Sequence, residues 1–393
     1  MVGSGSVGVR LVHQLLFLNA KQPIKIFGGE EEKPYSREHL LELLAGINTK
    51  DSLYESSKLP ENEHLQVFLN NPIVSIDSDK QFVIDTKGEK HPYSALVMAV
   101  GATPNKLQVP GVDLQNIFTF RNIRDAEQLK NRQVSSRNIV IIGGGQVGLD
   151  TANAMQRHNT NVTVIEHSSR LMYHQLDDHA SVYLRLYMDD LGVDVRINNH
   201  VSQFEGQDDK VEQVVLDDGE IIPCDTVIIS IGIKPNVDLA INSGIHIKKG
   251  IIVDDKLQTN KPNIYAVGEC CEYNGVVFGS VYPGFEQAEC LAEILLKDTG
   301  KYKGSTSTSH LKVVDYPILS IGDNGDDSVS NVSVTFRDIK NMTYRKLVLH
   351  NGRLKGVVAT GKWKTSKNLH DMVKNNDRIW LWQRRRFEKT GEL

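Results

Sequence analysis

Residues 138–166 constrain this chain more than any other stretch. An apolar, β-branched run, Ile139-Val140-Ile141-Ile142, reads as a buried strand. Gly143-Gly144-Gly145-Gln146-Val147-Gly148 follows at once as a GxGxxG turn. A helical pattern comes next, with Leu149, Ala152 and Met155 three apart, and then a second strand, Val162-Thr163-Val164-Ile165, closing on Glu166. Each part has a physical task. Gly143 permits the tight turn, Gly145 lets the backbone approach a pyrophosphate, and Gly148 lets the helix lie close on the strand. The helix N-terminus behind Gln146 and Val147 presents free N–H groups and a positive dipole end to phosphates. Glu166, about 20 residues beyond the glycines, is placed to accept hydrogen bonds from an adenosine ribose diol. The bland alternative is a glycine-rich strand-to-helix turn with no ligand. Strand, helix, strand and terminal acid together favour a dinucleotide site.

At 393 residues the chain suits two or three domains. A net charge of -4 gives no reason to expect nucleic acid, and no apolar run approaches the ~20 residues of a membrane span. No signal peptide is expected, because the N-terminus runs straight into a glycine-rich turn. Cys224, Cys270, Cys271 and Cys290 form no disulfide framework and no metal set, which fits buried thiols in a reducing cytoplasm.

The N-terminus carries a second fingerprint, Gly3-Ser4-Gly5-Ser6-Val7-Gly8. A helical stretch with Leu11, Leu15 and Leu18 on one face follows, then a strand, Ile24-Lys25-Ile26-Phe27. Two features are irregular. Only Met1 and Val2 precede the glycines, where a strand of ~5–6 residues is usual. Either residues belong ahead of Met1 or this copy lacks part of its central strand. Gly29 also stands where the ribose acid belongs, so Glu30 is a shifted candidate, the alternative being a solvated turn of three glutamates. Arg37, after Pro34-Tyr35-Ser36, is a candidate to neutralise a pyrophosphate or an ordinary surface arginine.

Residues 65–84 read as short strands. At Ala99-Val100-Gly101-Ala102-Thr103-Pro104 an apolar strand ends in a small-residue turn that backbone and nucleotide can share, and Pro104 stops the strand. The stretch to about Phe120 reads as a crossover, with Asn122 and Asp125 capping the next helix. A buried strand from Cys224 closes at Gly232, and another ends on Gly268-Glu269, whose carboxylate suits polyol hydroxyls. A helix over 279–296 is entered through Pro283-Gly284, proline being tolerated at a first helical position. Residues 297–309 make the best linker. Beyond it, alternation in Val332-Val334-Phe336 and Leu347-Leu349, with Asn351-Gly352 as a hairpin turn, predicts a small third domain. The tail, with Trp380, Trp382, Arg384 to Arg386 and Phe387, is expected to pack its aromatics onto the body rather than dock a partner or a membrane.

Two fingerprints, the 99–104 turn between them and the Gly268-Glu269 strand end after them form a recognisable order. Over roughly residues 1–300 the chain resembles the FAD-containing pyridine nucleotide–disulfide reductase superfamily. Within it, the chain is most similar to the flavin part of the large subunit of NAD(P)H nitrite reductases and to rubredoxin reductases. The markers are Arg170-Leu171-Met172, Gln175-Leu176-Asp177, Gly268-Glu269-Cys270, Pro283-Gly284 and the stretch 344–361.

The resemblance implies an α/β fold with two Rossmann-like dinucleotide-binding domains and a small α+β C-terminal domain. FAD would lie on 1–112 and 244–304, NAD(P)H on 113–243, and 305–393 would form the interface or acceptor domain. Gly3, Gly5, Ser6, Val7, Gly8, Glu30, Arg37, Val74, Ala99, Val100, Gly101, Gly268, Glu269, Pro283 and Gly284 would hold FAD. Gly143, Gly145, Gln146, Val147, Gly148, Glu166 and Gly232 would hold the nicotinamide dinucleotide. Asp150, where the family usually has Glu, would reach the nicotinamide end or serve packing, and the lysine many relatives carry is replaced near Glu42.

The implied reaction is hydride transfer from NAD(P)H to FAD, with electrons leaving to an acceptor. Glu166 argues for NADH, since a carboxylate repels a 2′-phosphate, and Arg170 argues the other way. No cysteine precedes Cys224, so the redox thiols of disulfide reductases are missing. The chain has no cysteine set for an iron–sulfur cluster and is not expected to reduce nitrite alone. The expectation is an NADH:acceptor reductase serving a rubredoxin-like or other iron–sulfur carrier. A slow NADH- and FAD-binding sensor, or a flavoprotein subunit of a larger nitrite-reductase-like complex, are the rivals. A homodimer stays open.

Overall fold

The structure is a computed structural model that describes residues 1–305, 315–326, 332–363 and 368–393, and the backbone of 308–313. The chain forms two compact units, Met1–Pro104 with Ile233–Ser305, and Asn105–Gly232 with Thr306–Leu393.

In the first unit the strands Leu65–Phe68 and Ile24–Phe27 pair in parallel, as do Leu96–Met98 and Ile264–Ala266. Val2 bridges both Phe27 and Met98 and joins the pairs into one parallel sheet. The helix Ser6–Phe17 leaves the sheet directly after Gly5 and packs on the helix Val281–Lys297. Its Leu11 is buried in the same core as Met98, Ile264 and Leu291, and Val12 is fully buried as well. Burying such side chains contributes about 1.5–3 kcal/mol each.

The second unit centres on a parallel sheet with strand order Val193–Ile197, Asn161–Glu166, Asn138–Ile142, Thr226–Ile229, Ile117–Thr119. Ile139 to Ile142 are all buried, as expected of a strand covered on both faces. The expected helix is Gln146–Met155, with Leu149, Ala152 and Met155 inside. Asn122 and Asp125 form a capping box for the helix Ile123–Ser135. The strands expected beyond residue 309 form a five-stranded antiparallel sheet ordered Thr308–Val313, Tyr316–Gly322, Arg353–Thr360, Thr343–His350, Val332–Asp338, within the second unit. Its 351–352 turn has both residues at positive φ, 49° and 77°, which suits Asn-Gly.

Four readings need correction. The supposed crossover before Phe120 contains an edge strand of the parallel sheet, Ile117–Thr119, only three residues long. Pro283 is the third residue of its helix, not the first, which the helix tolerates because first-turn N–H groups have no intrahelical acceptor. In the linker, Tyr302 is buried, its ring edge-on to Tyr273 at 4.9 Å, and residues 306–307 lie outside the described residues. In the tail helix Leu381–Thr390, Phe387 packs inside as expected, but Trp380 and Trp382 are 53% and 62% exposed.

Candidate dinucleotide sites

In the first unit Gly3 has φ +111°, and a Cβ there would overlap the Ala99 carbonyl oxygen. A Cβ on Gly8 would press on the Gly3 carbonyl at 2.7 Å. Gly5 is the contrast, since only Arg37 Nε comes near, at 3.8 Å. Gly5 is also the N-cap of the helix Ser6–Phe17, which has no side-chain cap. The turn is therefore tight where chain meets chain and open where an anion would approach.

Glu30, the shifted acid, lines a small pocket with Ser4, Gly5, Tyr35 and Arg37. Its carboxylate pairs with Arg37 and accepts from the Tyr35 hydroxyl at 2.8 Å. Burial works to lower the Arg37 guanidinium, but Tyr35, Glu30 and Glu269 around it hold it above its ordinary value. Arg37, Glu30 and Glu269 thus share one neighbourhood with the Gly5 turn.

Val7 closes the other side. A Cβ on Gly284 would meet its Cγ2 at 2.6 Å, and one on Gly268 at 3.3 Å, so both glycines allow close packing onto the first turn. Gly268 N donates to Gln287 Oε1 at 2.7 Å, and Pro283 is buried beside it in the same helix. The 99–101 turn is held by Asn236, whose Nδ2 donates to Val100 O at 2.8 Å and whose N donates to Gly101 O at 3.0 Å. Asn236 and Gln287 carried no signal in the sequence, and Tyr35 was read only as a neighbour of Arg37. Val74 stands on the strand Ile73–Asp77 with its side chain exposed. The residues fit FAD: an open glycine at an uncapped helix start, a guanidinium for the pyrophosphate and an acid beside the turn.

The second unit repeats the geometry. Gly143 has φ +113°, and a Cβ on it would overlap the Ser230 carbonyl oxygen; a Cβ on Gly148 would overlap that of Gly143. Gly145 has no atom within 4 Å of a Cβ and is the uncapped N-cap of the helix Gln146–Met155, whose first residues are Gln146 and Val147. Glu166 is buried at the strand end. Its Oε2 accepts from Gly144 N at 2.6 Å and its Oε1 from Ser168 N at 2.7 Å, with His167 Nδ1 at 3.0 Å. Two backbone N–H groups therefore fix the carboxylate against the turn. Gly232, at φ +86°, accepts from Asn105 N at 3.0 Å. Asp150 sits half-buried in the second turn of the helix.

Arg170 is committed elsewhere. Its Nε donates to Leu176 O at 2.9 Å, its other nitrogens to Tyr173 O and Asp178 at 3.0 Å, and it pairs with Asp326.

The thiols are poor nucleophiles. Burial pushes Cys224 up to about 12 and Cys270 up to about 11, and raises Cys271 as well. Asp85, Glu89 and His91 come within 4.8 Å of one another. Asp85 already accepts from Lys87 N, Glu89 N, Asn71 and His91, so its lone pairs serve a turn.

Residues 1–290 match the family model described as pyridine nucleotide-disulphide oxidoreductase, and residues 308–377 match the rubredoxin NAD+ reductase C-terminal domain. The assimilatory nitrate reductase electron transfer subunit of Bacillus subtilis is 32% identical over 96% of this chain and 49% of its own length. The rubredoxin-NAD(+) reductase of Pseudomonas putida is 31% identical over 72% of this chain and 74% of its own. The chain spans about half the length of the first two curated relatives it matches, at 49% and 46%. Among solved structures, the covalent putidaredoxin reductase–putidaredoxin complex superposes with a TM-score of 0.84 at 26% identity, covering 96% of this chain and 92% of that one. Among the described residues no helix is long and apolar enough to cross a membrane.

Proposed function

The chain belongs to the pyridine nucleotide-disulphide oxidoreductase family, and on that footing we propose that it is a FAD-dependent NADH:acceptor reductase passing electrons to a separate iron–sulfur carrier. The observation that carries this reading is the pair of matched turns. Each puts an open glycine, Gly5 or Gly145, at an uncapped helix start, with an acid after the following strand, Glu30 three residues past its end and Glu166 as its last residue.

When bound, FAD takes two electrons as hydride from a reduced nicotinamide and releases them to an acceptor. The chain's own residues bind and orient. Arg37 offsets pyrophosphate charge, while Glu30 and Glu269 accept from hydroxyls. The start of the helix Val281–Lys297 faces negative charge with its dipole. No side chain is asked to move a proton in the hydride step, and Asp150 is a positioning candidate only.

NADH is favoured over NADPH because Glu166 opposes a 2′-phosphate and Arg170, the one nearby cation that argued otherwise, is buried in bonds of its own. The raised thiols argue against cysteine chemistry. The rubredoxin and putidaredoxin in the names of similar proteins support a small redox protein as acceptor.

Visible spectra of the purified protein before and after anaerobic NADH test the reading. Flavin bands that bleach support it; a protein that stays colourless with added FAD removes it. Steady NADH oxidation with an artificial acceptor separates a reductase from a sensor, which stalls after one reduction. A second reading, a flavoprotein subunit of a larger assembly, is favoured by the exposed Trp380, Leu381 and Trp382 on one short segment.

A further inference from the structure

The C-terminal sheet ends on one side at the strand Val332–Asp338, and hydrogen bonds across the sheet fix which of its backbone groups are free. Gly361 N donates to Pro317 O at 2.9 Å and Asp323 N to Lys355 O at 3.2 Å, so Val357 and Ala359 between them turn their backbone groups toward Tyr316–Gly322. Thr360, Val358 and Gly356 then face the next strand, where they meet Tyr344, Lys346 and Val348. Arg345, Leu347 and Leu349 are left to bond Phe336, Val334 and Val332. By the same alternation Ser333, Thr335 and Arg337 direct their N–H and C=O groups away from the sheet, and no strand lies opposite them among the described residues.

Exposed edges are ordinarily blunted, because an unpaired ladder is a template for association. Three edges elsewhere in this unit are blunted in the usual ways. Val193–Ile197 carries the paired charges of Asp194 and Arg196, Ile117–Thr119 is only three residues long, and Val201–Gln207 is broken by two register shifts. Val332–Asp338 has seven residues, no proline and no register shift against its neighbour. Val332 is 55% exposed, and Ser333 and Arg337 are exposed as well.

We propose that this edge pairs with the same edge of a second copy of the chain, antiparallel, about a two-fold axis through Thr335. The residues with outward backbone groups are symmetric about that point. Thr335 meets its twin and Ser333 meets Arg337 of the second copy, each pair exchanging both of its N–H···O bonds. On the other face Val334 meets Phe336 of the second copy, so a β-branched and an aromatic side chain of the C-terminal core carry that core across the axis. Charge fits this register. Arg337 faces a serine and Asp338 faces Val332, whereas a slide that centred the axis on Arg337 would oppose two guanidinium groups. The pairing makes one continuous sheet from two chains, and it does not rest on the reductase reading.

Sedimentation velocity of the full chain from about 1 to about 200 µM reads the association directly. A monomer–dimer equilibrium is expected, with exchange of the Ser333, Thr335 and Arg337 amides slowing at least about threefold from the dilute to the concentrated end. Ser333→Glu sets a carboxylate opposite Arg337 twice per dimer and should lower the dissociation constant about three- to tenfold, while Ser333→Lys should raise it by as much. Thr335→Pro removes the N–H on the axis and should abolish the dimer, since that N–H serves no neighbour in its own sheet. Should the proline variant melt early, the two Ser333 variants, altered at an exposed side chain, still decide. A chain that stays monomeric throughout overturns the proposal. So does a dimer indifferent to the charge at Ser333, which would join through another surface.

Discussion

The Tyr344 hydroxyl donates to Asp177 Oδ2 at 2.7 Å, joining the C-terminal sheet to the N-cap of the helix Asp178–Asp190. The same carboxylate pairs with Lys346 at 3.0 Å and caps Ala180 N through Oδ1 at 2.9 Å. Burial, then the Asp177 charge, push the Tyr344 phenol well above its usual range, so it remains a donor. Two of the sequence markers, 175–177 and 344–361, are therefore the two halves of one buried junction.

Asp177→Ala is expected to destabilise the second unit by about 3–5 kcal/mol, because it strands the buried Lys346 charge and removes a cap. Tyr344→Phe should cost only ~1 kcal/mol, since Asp177 keeps Lys346. Urea denaturation followed in the far-UV distinguishes them, and equal losses would show that the junction holds by packing alone.

Gly3→Ala and Gly143→Ala put the same overlap at twin positions. The first should purify with at least about tenfold less FAD, the second with normal flavin but about tenfold weaker NADH reduction, roughly 1.4 kcal/mol or more each. Flavin content per chain and anaerobic titration with NADH read the two separately. Loss of flavin from Gly143→Ala would contradict the assignment.

Glu166→Gln keeps an acceptor for Gly144 N and Ser168 N through one oxygen but removes the charge. The NADH to NADPH ratio of kcat/KM should fall by roughly ten- to a hundredfold, the scale of one charge-assisted hydrogen bond of ~1.5–3 kcal/mol. An unchanged ratio would place nucleotide choice elsewhere.

Burial lowers the Met1 amine from 8.0 to about 5. The unfolded chain then binds the extra proton between these values, so stability should rise with pH from about 5 to 8 and level off above, by at most ~4 kcal/mol. N-terminal acetylation removes this titration. Urea midpoints of the acetylated and free chains across that window should diverge toward acid pH, and parallel curves would refute the burial.

Trp380→Ser with Trp382→Ser should leave Tm and NADH-driven bleaching nearly unchanged while weakening electron delivery to a protein acceptor. The segment cannot be tested by cutting the chain after Lys374, because that deletes the buried Ile379 and Phe387 from the C-terminal core. Stopped-flow reduction of a rubredoxin by the two proteins decides it.

The turns were legible because steric demand at Gly3 and Gly143 is written in the residue type, and so was the 351–352 hairpin. The place of Glu30 beside Gly5 and Arg37 could not be read, since the strand end and the three glutamates give no count of the turn. Ile117–Thr119 was invisible because three residues carry no periodicity. The exposure of Trp380 and Trp382 could not be read, as apolar character says nothing about what is available to cover it. Arg170 misled for a related reason: its partner Asp326 is 156 residues away, and no local pattern announces it.

That guanidinium carries a constraint on how this protein can change. A lineage seeking to accept a 2′-phosphate would find Arg170 at hand, four residues from Glu166. Releasing it would unfasten Asp326 and Asp178 and expose the backbone carbonyls of Tyr173 and Leu176. Attachment of the C-terminal sheet thus occupies this side chain, so on the NADH reading proposed above a drift toward NADPH would have to recruit a new cation first.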